Sequence, residues 1–303
     1  MNKKNLAIID SDSIAYLGGK EDSLQQILEK VDYKIQEILD ETMADYYILL
    51  ISKGKYFRHN ISKSKEAPEG SYKANRTYTA QPWVKTIKEY LIVKYRAVAY
   101  PQLEADDIAA WLMNKNLYLN KSGADAEHTF EKIDTYIPDS PYVKSSEEIN
   151  KILVAKDKDL LYSIPSKDRG HLNFSKKLGP EEWGMEWVET SINDASFYEW
   201  EAMVTGDQSD GVKGLYRKGK VWVNKNFSGK SLKEVQHLVF QEYMSEYGTE
   251  QGIYEFQKNF RLLHMLNTNE DMLREVGYIP ELPEFQKVVK EEVITNNVNK
   301  IEF

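Results

Sequence analysis

The chain contains no cysteine. That removes disulfides and thiolate metal sites, and it fits a reducing compartment. A long apolar run is missing as well. The stretch that opens at Leu6 is stopped by Asp10, which is too short for the apolar core of a secretion signal. Nothing elsewhere approaches the ~20 apolar residues of a membrane span, so a cytoplasmic location with no membrane partner is expected. Internal repeats and low-complexity tracts are also absent. Positive charge is in deficit: 40 Lys and Arg face 48 Asp and Glu, a net charge of −8, which taken as a global sum argues against a nucleic-acid partner.

The composition that remains is globular. The 303 residues are 41% hydrophobic and 12% aromatic, enough for one large or two modest domains. The charge is also unevenly spread. Residues 53–76, "KGKYFRHNISKSKEAPEGSYKANR", hold seven Lys or Arg against two Glu, and residues 211–230, "GVKGLYRKGKVWVNKNFSGK", hold six against none. Either segment alone also fits a solvated surface loop. Two on one acidic chain suit a protein that grips a polyanion.

Short aliphatic runs recur at 6–10 (LAIID), 46–51 (YYILLI), 96–100 (RAVAY) and 151–155 (KILVA). Their lack of strict alternation predicts strands buried on both faces of a parallel sheet. Between them Leu24, Ile27, Leu28, Val31, Ile35 and Ile38 keep a helical period. Trp83, Ile87, Leu91 and Ile92 do the same more briefly, as do Ile108, Trp111 and Leu112. The alternation predicts an α/β fold with a mostly parallel central sheet flanked by helices. Residues 120–150 read as a surface insertion with one short helix, and the chain from about 194 onward reads as helical.

Acidic residues gather where these strands end. Asp10 closes the first run, and Asp12 shares its face if the chain stays extended. "LEADD" brings Glu104, Asp106 and Asp107 shortly after the third run. "AKDKDLL" brings Asp157 and Asp159 after the fourth, and "TGDQSDG" brings Asp207 and Asp210, spaced as on one side of a helical turn. Each group alone fits a cap or turn. Together, at the carboxyl edge of one sheet where α/β ligands bind, they would repel one another unless cations intervene. An all-oxygen set selects hard ions, Mg²⁺ or Mn²⁺, and two of them ~3.5–4 Å apart form the clamp used in phosphodiester cleavage.

The blocks "IIDSD", "FRHN…SYKANR", "LEADD", "KDKDLL" and "GDQSDGVKGL" stand in the order seen in the 5′-nuclease family. That family comprises phage 5′→3′ exonucleases, flap endonucleases, phage ribonuclease H and the 5′-nuclease domain of bacterial DNA polymerase I. The resemblance spans roughly residues 5–230, and "FRLLHMLN" is similar to a family helix too. It implies a metal-binding α/β core over 1–199 with a helical arch near 53–90. A helical DNA-binding region with a helix–three-turn–helix element would follow over 200–303. It implies a first metal surrounded by Asp10, Glu104, Asp106 and Asp107, and a second held or approached by Asp157, Asp159, Asp207 and Asp210. Asp10 and Asp107 are thereby counted as catalytic, together with Lys73 and Arg76 on the scissile phosphate. Tyr72 would stack on the terminal base, although without the resemblance it fits core packing equally. Arg58, within "FRHN", is counted with the substrate-binding basic residues.

Two positions depart from the family pattern. Ser52 stands where the second strand of the family runs into an Asp ligand, and Asp12 is expected to take over part of that role. The glycine-rich hairpin keeps Gly211, Gly214 and Gly219 but admits Tyr216 and Arg217, so Lys218 and Lys220 are expected to supply charge toward a duplex. The activity implied is divalent-metal-dependent 5′→3′ exonuclease or flap endonuclease action on DNA or RNA/DNA. It uses two Mg²⁺ ions, which Mn²⁺ can replace, and serves primer or flap removal beside a single-strand-binding protein or sliding clamp. Two alternatives stay open. "DSD" and "GDQSD" also mimic a haloacid-dehalogenase-type phosphatase with Asp10 as nucleophile. A non-catalytic branched-DNA binder, its metal site decayed at Ser52, fits as well.

Overall fold

The computed structural model describes residues 3–17, 22–64, 70–75, 82–115, 117–120, 130–132, 146–166, 170–177 and 183–288. Strands β1 (Asn5–Asp10), β2 (Tyr46–Leu50) and β6 (Asn150–Ala155) form the centre of a six-stranded sheet with β7 (His171–Lys177), β8 (Trp183–Val188) and β11 (Gln286–Lys287). The order is β11-β2-β1-β6-β7-β8. The four inner strands run parallel, and each edge strand runs antiparallel to its neighbour. β1 and β6 lie on the sheet axis with both faces covered, which is why their sequences are continuously aliphatic.

Alternate residues feed two separate cores. Leu6 and Ile8 of β1 face α4 (Ala105–Asn114), which contributes Ile108, Trp111 and Leu112. Ala7 and Ile9 face α1 (Leu24–Thr42) and α3 (Val84–Tyr95), through Ile27, Val31, Ile35, Ile87 and Leu91. α1 starts where Ser23 and Gln26 exchange capping bonds and stops at Met43, whose φ of 48° is left-handed. α2 (Phe57–Ile61) follows β2, and α5 (Lys158–Ser163) follows β6.

A third core lies among the later helices α6 (Ile192–Thr205), α7 (Lys220–Phe227), α8 (Leu232–Tyr247) and α9 (Thr249–Leu263), with Met203, Val235, Val239 and Tyr243 at its centre. The boundary expected at 199/200 falls inside α6. α10 (Asn269–Val276) returns to the sheet, where Leu266, Met272 and Phe285 join the α4 core. Between α6 and α7 the chain forms a hairpin of β9 (Gly206–Asp207) and β10 (Val212–Lys213) followed by a turn.

Two local expectations are corrected. The RAVAY segment is not a strand: Tyr95 belongs to α3, Arg96 ends that helix at φ 53°, and only Val98 touches the sheet, by a single bridge to Leu50. In the 120–150 insertion the described parts are short antiparallel strands, β3 (Leu117–Asn120), β4 (Phe130–Lys132) and β5 (Ser146–Glu148). The helix expected there lies outside the described residues, as do parts of the arch, 65–69 and 76–81. No helix among the described residues is long and apolar enough to cross a membrane.

Candidate functional site

The carboxyl ends of β1, β2 and β6 open into a cavity of about 1150 Å³. It is lined by Asp10, Asp12, Glu104, Asp106, Asp157, Asp159, Asp207 and Asp210, together with Tyr72, Lys73, Arg58 and Lys220. Side chains as far apart in sequence as Asp10 and Lys220 thus share one space. Asp107, Gly214, Lys218 and Gly219 are not part of that lining, and Arg76 lies outside the described residues.

Each acid is delivered by a local device. Asp10 is the last residue of β1, and its Oδ1 accepts the Asp12 N–H (3.1 Å). The chain turns there rather than staying extended, and Asp12 swings across to β2, where Oδ1 accepts the Ser52 N–H (3.0 Å). Glu104 precedes α4 and places Asp106 in its first turn. Asp157 caps α5 by accepting the Asp159 N–H (2.9 Å). Asp207 and Asp210 sit on the β9–β10 hairpin, not on a helical turn, with Asp207 Oδ1 accepting the Ser209 N–H (2.7 Å).

The crowding shows in the ionisation. Burial, then the charges of Asp12 and Asp157, push Asp10 up to about 8. Burial and the neighbouring Asp10, Asp157 and Glu104 hold Asp106 well above the usual carboxylate range. Burial raises Asp159 to about 6 against the relief given by the Tyr198 hydroxyl, with Asp157, Asp207 and Asp210 adding to the rise. Asp157 is raised by burial and then by Asp210 and Asp207. Glu104 moves the other way: burial would raise it, but Arg58 and Lys73 prevail and its carboxylate is stabilised.

Protein cations already hold part of this charge. Lys73 Nζ bonds Glu104 Oε1 and stands 3.7 Å from Asp210 Oδ2. Burial would lower the Lys73 ammonium, but Glu104 and Asp210 raise it on balance. Its backbone, at φ 57°, donates N–H to the Asp210 carbonyl (2.8 Å). Among the described residues no group of three or more His, Asp or Glu side chains already stands at metal-binding spacing. The reason is visible: Glu104, Asp12 and Asp210 lean on Lys73, Lys88 and Tyr72. The donor chemistry nevertheless fits a hard divalent cation, because the lining is oxygen-rich and Asp10, Asp106 and Asp157 repel one another.

Several predicted roles are corrected by these placements. Asp107 is fully buried, and Arg58 takes both its oxygens at 2.6 and 2.7 Å. It turns away from the cavity because consecutive residues on a helix point ~100° apart. Arg58 is buried in turn, and its remaining donors go to Glu104 Oε2, Leu262 O and His264 O, so no N–H is left for a phosphate. Tyr72 is 4% exposed. Its hydroxyl lies 2.8 Å from both Glu104 Oε2 and Asp210 Oδ2, and its ring packs edge-on to His59, so in this arrangement the ring is packed rather than presented for stacking. Gly214 serves the hairpin: a Cβ there would lie 2.3 Å from the Val204 carbonyl oxygen. Lys218 is paired with Glu242 (3.2 Å) and Glu246 (3.4 Å), whereas Lys220 is largely exposed beside Glu201. Gly219 precedes the first turn of α7 in open space.

The sequence reading missed others on the lining. Lys88 of α3 reaches Asp12, Tyr198 of α6 bonds Asp159, and Tyr16 is 41% exposed. His264 links Glu199 and Asp271 (2.5 and 3.4 Å). Lys88 carried no signal beyond a lysine on an amphipathic helix.

With the geometry in place, the class of the fold is clear: it is the fold of 5′-exonucleases. The solved structure of bacteriophage T5 5′-exonuclease with divalent zinc ions bound matches with a TM-score of 0.53 at 17% identity, over 87% of this chain and 90% of that chain. A pseudo-enzyme–product complex of the bacteriophage T5 flap endonuclease with DNA and metal ions matches with a TM-score of 0.45 at 16% identity, over 90% of this chain and 89% of that one. No protein-family profile and no curated protein matches the sequence.

Proposed function

We propose that the chain is a divalent-metal-dependent 5′ nuclease that hydrolyses phosphodiesters near 5′ ends, flaps or junctions of DNA or RNA/DNA. The observation that carries this reading is the convergence of acidic residues from four chain segments, Asp10 and Asp12, Glu104 and Asp106, Asp157 and Asp159, and Asp207 and Asp210, on one cavity that also holds Lys73. The 5′-exonuclease fold supports it. Asp10, Asp12, Glu104 and Asp106 would hold one Mg²⁺ or Mn²⁺, and Asp157, Asp159, Asp207 and Asp210 a second, the pair supplying charge that activates water and stabilises the leaving 3′ oxygen.

The chain's own residues do the rest. Lys73, shared between Glu104 and Asp210, neutralises charge developing on the scissile phosphate, and by the family resemblance Arg76 joins it. Tyr16 offers the ring on which an unpaired base can rest. Lys220, at the start of α7, meets a duplex backbone, which makes binding steeply salt-dependent. Arg58, Asp107 and Tyr72 brace the cavity from behind.

The test is a labelled flap, a nicked and a blunt duplex, each with Mg²⁺, Mn²⁺ or EDTA. Cleavage near the 5′ end or branch that leaves 5′-phosphate and 3′-hydroxyl ends, and that stops in EDTA, is expected. Hydrolysis of p-nitrophenyl phosphate without cleavage of any DNA would replace this reading with a phosphatase. A second reading, a structure-selective binder without cleavage, is favoured by one observation: Ser52 is committed to the Ala105 N–H (2.8 Å) and supplies no carboxylate. Binding of flaps with no cleavage in either metal is its signature.

A further inference from the structure

Lys88 stands inside the acidic cavity with no part in the chemistry described so far. It rises from α3, and its Nζ lies 2.6 Å from Asp12 Oδ1 and 2.9 Å from the Ser52 carbonyl oxygen. The same Asp12 oxygen accepts the Ser52 N–H. Asp12 is thus held through one oxygen, by an amide and an ammonium, and Oδ2 makes no hydrogen bond among the described residues.

This ion pair differs from those that Arg58 and Lys73 make at the cavity. Arg58 is sealed between buried carboxylates and backbone carbonyls, and Lys73 is anchored through its own amide to Asp210. Lys88 and Asp12 are partly exposed, at 24% and 29%. Pairs of this kind are weakly held, and an ammonium on a four-carbon stem can move without backbone change. A cation of twice the charge that competes for Asp12 would release Lys88 at the wall of the cavity, with Asp10, Asp106 and Asp157 close by.

We propose that Lys88 is a substrate-contacting residue gated by Asp12: it competes with a divalent cation for the Asp12 carboxylate and, once displaced, binds a phosphate oxygen of the nucleic acid. The proposal rests on the nuclease reading and adds a coupling to it. Metal and substrate bind cooperatively, because the ion frees the ammonium that the phosphate uses.

The test uses the full chain and Lys88→Gln, which keeps a hydrogen-bonding side chain and removes the charge. Mn²⁺ binding is followed by electron paramagnetic resonance. Binding of a fluorescent 5′-tailed duplex is followed by anisotropy, once in Ca²⁺ and once in EDTA. Lys88→Gln is expected to tighten Mn²⁺ about fivefold or more, and to weaken the duplex by a similar factor in Ca²⁺ but not in EDTA. Lys88→Arg is expected to keep both constants near wild type. In an Asp12→Asn background Lys88→Gln is expected to give no gain in Mn²⁺ affinity. Unchanged or weaker Mn²⁺ binding by Lys88→Gln overturns the proposal, and so does an equal loss of duplex affinity in Ca²⁺ and EDTA. If the wild type cleaves and Lys88→Gln alters neither constant, the role of Lys88 alone falls. If the wild type neither binds Mn²⁺ nor cleaves, the nuclease reading falls with it.

Discussion

Arg58 gives the sharpest test of how the cavity is built. All five of its N–H groups are engaged: Nε with Leu262 O (3.0 Å), Nη1 with Asp107 Oδ2 and Glu104 Oε2, and Nη2 with Asp107 Oδ1 and His264 O. Replacing it with methionine preserves the stem's packing and strands the Asp107 carboxylate, which is 0% exposed. Breaking one side of a buried pair costs ~3–5 kcal/mol. Asp107 keeps the Leu266 and Glu104 N–H groups, so we expect Arg58→Met to cost about 4 kcal/mol, a large share of the ~5–15 kcal/mol that a folded protein commands. The double variant Arg58→Met/Asp107→Leu removes both charges and should recover about half of that loss. Urea unfolding followed by far-UV circular dichroism, at constant m-value, measures each difference. A single variant within about 1 kcal/mol of wild type, or a double variant worse than the single, would refute the assignment of this pair to the fold.

Three further outcomes follow from the same structure. Asp10→Asn still accepts the Asp12 N–H but removes a carboxyl whose ionised form burial and Asp12 disfavour in the fold, so at neutral pH in EDTA it should raise stability by about 1 kcal/mol or more and abolish stabilisation by added Mg²⁺; a lower melting temperature in EDTA would contradict this. His264 is pushed up to about 9 because its bonds to Asp271 and Glu199 outweigh burial. A folded value above the unfolded ~6.5 means that its stabilisation is complete below pH 6.5 and is lost as pH rises through 9. The stability gap between wild type and His264→Gln should therefore narrow across that window, and a gap that widens would show the sign to be wrong. Lys151 is buried with Nζ on the carbonyls of Leu112, Met113 and Lys115 at the end of α4; Lys151→Met should cost about 2–4 kcal/mol in the same urea assay, since several buried acceptors lose their donor.

The sheet was legible because strands covered on both faces must be aliphatic throughout, and β1, β2 and β6 fall within a residue of the runs that announced them. The RAVAY segment misled for the same reason: Ala97 and Val98 are apolar because they pack beneath α3 and beside Leu50, not because they pair along a ladder. The acidic blocks could be found from their spacing, but neighbouring carboxylates could not be assigned faces. Asp106 and Asp107 differ by one helical step, and that step separates the cavity from Arg58. Burial of Arg58 and Tyr72 was hidden inside a segment that looks uniformly solvated. Lys88 was invisible because its meaning depends on Asp12 swinging across to β2, a tertiary fact with no local pattern.

The short strand Gln286–Lys287 pairs with Tyr46 and Tyr47, and Val288 N–H adds a bond to the Asp45 carbonyl. Without that ribbon the rim of the sheet would present unpaired amides and carbonyls along β2. A shortened version ending before Glu284 would therefore be prone to stick to its own copies, so any trimming for crystallography should spare this seal.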